Sequence, residues 1–74
     1  MKIENEDVQR AIESWYDNIQ YDVIHYWEQD KTWFVIVRHY SSAQDQIKLD
    51  FVRIFPSYRI AGEYHISVDK TVNV

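Results

Sequence analysis

The sequence has no cysteine, one glycine, one proline and no apolar run long enough to cross a bilayer. Each absence excludes something. Without cysteine there is neither a disulfide nor a zinc–thiolate site, so packing alone must hold the fold. With Gly62 as the sole glycine there is no glycine-rich phosphate loop and no nucleophile elbow. The scarcity of glycine and proline together argues against disorder and for a chain committed to regular structure. The opening stretch MKIENEDV lacks the apolar segment of a signal peptide, so an intracellular, cytoplasmic location is expected.

What remains is a chain of 74 residues, read as a single small domain over residues 1–74, near the lower limit of what folds without staples. Aromatic residues make up 16%, which supplies large apolar area per residue. The formal net charge of −4 disfavours non-specific attraction to nucleic acid or anionic lipid. Residues 1–30 carry eight acids against Lys2 and Arg10, whereas residues 31–74 carry four acids against six bases. The chain therefore joins an acidic N-terminal part to a mildly basic remainder.

Asn5 reads as an N-cap, with Glu6 and Asp7 suited to the positive end of a helix. Val8, Ala11, Ile12, Trp15 and Ile19 recur at helical spacing, and Asn18 suits a left-handed stop, which predicts a helix over residues 6–17. The period then changes from 3.6 to 2. Strands are predicted over residues 20–28, 32–40, 46–55 and about 58–69, with Val72 and Val74 available for a fifth, edge strand. The fold class is α+β: one N-terminal helix packed on a four-stranded, or five-stranded, antiparallel meander. In the third strand Ile47, Leu49 and Phe51 alternate inward before Val52 and Ile54 take over, so a β-bulge near Phe51–Val52 is expected to keep both sets on one face. Val8, Ile12 and Trp15 are expected to pack against Leu49, Phe51, Ile60, Tyr64 and Ile66.

The stretch YDVIHYWEQDKTWFVIVRHY, residues 21–40, reads as a hairpin turning at Gln29-Asp30-Lys31. That turn would pair Trp27 with Trp33, Tyr26 with Phe34, Ile24 with Ile36, Val23 with Val37 and Asp22 with Arg38. Both faces of the hairpin are apolar, and one helix covers only one face. The even set, Ile24, Tyr26, Phe34, Ile36 and Tyr40, is rimmed by Asp22, Glu28, Thr32 and Arg38, so it is expected to face outward as a partner-binding patch. This points to a small acidic protein-binding module of the inhibitor or immunity type, such as phages or mobile elements encode. Such a module blocks a partner protein by occlusion, and a homodimer fits equally well.

Catalysis and cofactors find no support. His25, His39 and His65 lack short metal-ligand spacing, and His39 beside Ser41 and Ser42 is not triad geometry, so no enzyme, metal or cofactor is expected. Two alternatives use other residues. Sheet aromatics flanked by Lys31, Arg38, Lys48, Arg53 and Arg59 could stack single-stranded nucleic acid, although no RNP-like motif is present. The acidic surface of Glu6, Glu13, Asp17, Asp22, Glu28 and Asp30 could instead mimic a phosphate backbone, but Arg10 interrupts it.

Overall fold

A computed structural model describes Met1–Val74. Its elements are α1 (Glu6–Trp15), β1 (Tyr21–Gln29), β2 (Thr32–Ser41), β3 (Gln46–Pro56) and β4 (Tyr64–Asn73). The strands form one open antiparallel sheet in the order β1-β2-β3-β4, and the helix lies on one of its faces. No helix is long and apolar enough to cross a membrane.

The helix begins as the sequence demands. The Asn5 side chain accepts hydrogen bonds from the backbone N–H of Asp7 at 3.0 Å and of Val8 at 3.1 Å. These satisfy two of the donors that a helix start leaves open. Ile3, just ahead of the helix, is fully buried, and its N–H donates to Gln9 Oε1 at 2.9 Å. The helix ends two residues earlier than expected, and Asn18 takes the left-handed conformation at φ 62°. Its buried line is Val8, Ile12 and Tyr16, spaced by four residues. Trp15 therefore falls some 60° off that line and is 51% exposed rather than buried, and Ile19 is exposed as well.

The β1–β2 connection is a two-residue turn. Asp30 and Lys31 both have positive φ, 52° and 65°, as a type I′ hairpin requires. The shorter turn shifts the pairing near the tip to Trp27 with Phe34 and Tyr26 with Val35. A bulge at Ile24 takes up the extra residue, so Val23 still pairs with Val37 and Asp22 with Arg38.

A second irregularity falls between Phe51 and Val52, where the sequence places it, but on the other strand. Phe51 pairs with Lys70 and Val52 with Val68, leaving Asp69 as the extra residue of β4. Strand β3 runs unbroken against β2, so its faces never switch. Asp50, Val52 and Ile54 all point toward the helix and are buried. Ile47, Leu49 and Phe51, expected inside, point away. The expected fourth strand also starts too early. Tyr58 is fully exposed and Ile60 half exposed, in a loop where Ser57 Oγ accepts from the N–H of Arg59 and Ile60 at 3.1 and 3.2 Å. Gly62, at φ 85°, completes that loop. Val72 belongs to β4 itself, so there is no fifth strand.

The core unites Ile3, Val8, Ile12 and Tyr16 with Val23, Val35, Val37, Val52 and Ile54. Amid it lies one acid, Asp50, 5% exposed. Tyr16 donates to its Oδ2 at 2.6 Å and Thr71 to its Oδ1 at 2.7 Å. His39 Nε2 lies 3.0 Å from Oδ2, within ion-pair range but without an aligned hydrogen bond. Burial alone would push this carboxyl up, but the hydrogen bonds from Tyr16 and Thr71, with the His39 ring alongside, win and hold it below the usual carboxylate range. Burial and the same contact push the Tyr16 hydroxyl up. The cluster ties the end of the helix to β2, β3 and β4.

Two predictions follow from these contacts. Replacing Asp30-Lys31 by Asn-Gly puts the preferred type I′ pair at the two left-handed positions and removes the strain at Lys31, and should raise stability by about 1 kcal/mol, or roughly 4–8 °C in Tm. A melt unchanged or lowered would mean the turn is not type I′. Tyr16→Phe should cost about 2 kcal/mol, the scale of a hydrogen bond to a buried charge. Asp50 titrates lower folded than unfolded, so its contribution is complete above about pH 4 and lost as pH falls below that. Urea unfolding at stepped pH should show this acid loss in the parent and a smaller one in Tyr16→Phe; identical curves would refute the assignment.

Candidate functional site: the uncovered sheet face

The inward phase of Asp50 decides what lies on the far side of the sheet. Cross-strand rows there read Asp22–Arg38–Leu49–Val72, then His25–Ile36–Phe51–Lys70, then Trp27–Phe34–Arg53–Ser67. Tyr40 pairs with Ile47 at one end and Phe55 with His65 at the other. The large side chains are well exposed for apolar groups: Trp27 at 43%, Tyr40 at 44%, Ile47 at 45% and Phe51 at 37%. No element of the chain covers them. A ten-residue helix is about 15 Å long, whereas ten-residue strands extend about 33 Å and present two faces.

The rings on this face are ordered against each other. Trp27 and Phe34 stack at 5.2 Å between centroids with planes 12° apart, and His25 lies 5.5 Å from Trp27. Beside the stack is a dimple of about 70 Å3 lined by Trp27, Phe34, Ile36, Phe51, Arg53 and Asp69. Two ion pairs form on this face. Arg53 grips Asp69 through two hydrogen bonds of 2.6 and 3.0 Å, and Arg38 reaches Asp22 at 3.0 Å. The Arg53 guanidinium, with help from Ser67, holds the Asp69 carboxyl below its ordinary range. Tyr40 donates to Asp45 at the far end.

Of the five residues expected to form an outer patch, Phe34, Ile36 and Tyr40 point outward, and Ile24 is the exposed bulge residue. Tyr26 does not join them. The bulge at Ile24 reverses the phase of β1 beyond it, so Tyr26 turns toward the helix side and packs beside Trp33 at 5.9 Å. By the same reversal His25 and Trp27 move out, which separates His25 from His39 across the sheet. Of the expected rim, Asp22, Thr32 and Arg38 lie on this face, while Glu28 pairs with Trp33 on the other. The residues missed were Trp27, Ile47, Leu49 and Phe51. The alternation of β3 contained that signal, but a buried Asp50 inverts it.

The acidic residues do not share one surface. Glu6, Glu13 and Asp17 belong to the helix side, Asp22 to the opposite face beside Arg38, and Asp30 to the hairpin turn. No group of three His, Asp or Glu side chains converges on a point. Near His39 a shallow depression is bordered by Tyr21, Asp22, Arg38 and Tyr40.

The two faces respond differently to truncation. Tyr26→Ser should destabilise by about 3 kcal/mol, as a packed aromatic does, whereas Phe51→Ser should cost about 1 kcal/mol or less, as at an exposed site. Urea midpoints of the two variants measure this directly. Reversed order would put Phe51 in the core and Tyr26 outside.

Comparison of the chain with protein-family models, with curated proteins and with solved structures found no match.

Proposed function

We propose that this chain is a small protein-binding module whose working surface is the uncovered face of the sheet. The observation that carries this is a contiguous apolar surface, Trp27, Phe34, Ile36, Leu49 and Phe51, running across β1, β2 and β3 without cover. Contiguous apolar patches of this kind on free monomers usually mark interaction sites. Aromatic residues at the centre and ion pairs at the margin are the anatomy of a protein interface. A rigid sheet presents the patch at little ordering cost, which suits an inhibitor or adaptor that acts by covering its partner.

The Trp27–Phe34 stack gives single-stranded nucleic acid some claim on the same face. The cations argue against it. Arg38 and Arg53 are already neutralised by Asp22 and Asp69, leaving Lys70 as the one base in these rows without a carboxylate partner. Phosphate binding would have to break those pairs first.

The test is a titration of an identified, purified partner into wild type and into Phe34→Ser/Phe51→Ser, following tryptophan emission. Wild type should show a blue shift as Trp27 is covered, and the double variant should bind at least tenfold more weakly with its far-ultraviolet dichroism unchanged. Equal binding by the folded variant would overturn the reading. So would quenching by mixed-sequence oligonucleotides that weakens steeply with salt.

A further inference from the structure

We infer that the uncovered face is occupied by a second copy of this chain, packed sheet on sheet about a two-fold axis. This deepens the protein-binding reading and rests on it. The first argument is surface. The accessible area is 5425 Å2, whereas a folded monomer of 9.0 kDa is expected to expose about 4,900 Å2. The radius of gyration is 12.4 Å against about 11.3 Å for a compact chain of this length. The single chain thus leaves roughly 500 Å2 more in water than its mass requires. Only 10 of its 74 residues are buried, all in the layer between helix and sheet.

The second argument is area. Four strands spaced about 4.8 Å apart, over some eight residues of about 3.4 Å each, give a face of roughly 500 Å2 in projection. Two such faces bury about 1,000 Å2, the level from which specific interfaces begin, and below that of the tightest ones. A reversible dimer of modest affinity is what that area supports. Stacked sheets sit about 10 Å apart, close enough for the outward rings of two copies to interleave.

The third argument is charge. The face carries Asp22 and Asp69 against Arg38, Arg53 and Lys70, nearly balanced, and four of these five are in ion pairs. The chain as a whole is at −4, so its acidic surplus lies elsewhere. A strongly charged partner would find little to answer on this face. A copy of the same face meets it without a like-charge penalty, as an isologous interface must.

The sheet edges favour the same geometry. Both edge strands are irregular, β1 at Ile24 and β4 at Asp69, and bulged edges oppose pairing with a further strand. Face-to-face packing is the route left open.

Sedimentation equilibrium of the purified full chain, from low micromolar to submillimolar concentration, tests the inference. The mass should rise from that of one chain toward that of two, and Phe51→Glu should remain monomeric throughout with its dichroism unchanged. Should Phe51→Glu fail to fold, Ile47→Glu, at a more exposed position, takes its place with the same expected result. A wild-type chain monomeric at every concentration would overturn the second-copy inference. The titration with an identified partner would then still decide the protein-binding reading separately. A dimer that survives the folded charge variants would overturn the second-copy inference too, since association would then use another surface.

Discussion

The buried carboxylate of Asp50 sets the phase of the sheet. A side-chain period of two leaves a strand one binary choice, and in β3 that choice is between two imperfect faces. Turning Asp50 inward takes Val52 and Ile54 with it and sends Ile47, Leu49 and Phe51 out. The opposite choice would bury those three larger side chains but would also bury Arg53. The observed phase is tenable because two donors satisfy the acid, Tyr16 from the helix end and Thr71 from β4, with the His39 ring of β2 close by. A buried charge without such partners would cost several kcal/mol. Arg53 stays outside, half-exposed, against Asp69. Helix, sheet and outer face all hang on that arrangement.

Its consequence is a chain with a well-made but thin core. Ile3, Val8, Ile12 and Tyr16 close one side of the sheet, and Tyr16 both packs and donates. Tyr21 stacks on Tyr16 at 5.1 Å, so the helix end is gripped by rings as well as by the hydrogen bond. There is no second helix for the other side. The aromatic content that makes so short a chain foldable therefore exceeds what one layer can bury. The excess emerges on the far face.

Much of this was legible in the sequence, and the part that was not has specific causes. The N-cap at Asn5, the left-handed Asn18 and the meander order follow from local chemistry that tertiary packing does not override. The errors are errors of phase. At Ile24 an unmarked bulge inverted half of β1, so Tyr26 and Trp27 exchanged sides. At Asp69 the extra residue sat on β4 rather than β3, and an alternation that looks ordinary around Lys48 and Asp50 pointed the wrong way. The spacing of Trp15 from Ile12 predicts it inside, but Tyr16, one residue later, continues the line of Val8 and Ile12, and its hydroxyl reaches Asp50. An apolar outer face remains despite these phase shifts because both faces of the hairpin are apolar.

That both faces are apolar bears on why the exposed one exists. A surface needed only for solubility would follow most of β4, where His65, Ser67 and Lys70 lie on the outer side and Val72 is the one apolar exception. Strands β1, β2 and β3 do not follow it. Their outer residues are stacked rings and branched aliphatics at the centre, with carboxylate–guanidinium pairs formed at the margin. Paired charges lose less on being covered than free ones, since their attraction strengthens as water leaves. A face meant to remain in water gains little from such pairs. The outer layer thus has an apolar middle, with Arg38 and Arg53 paired to Asp22 and Asp69 beside it.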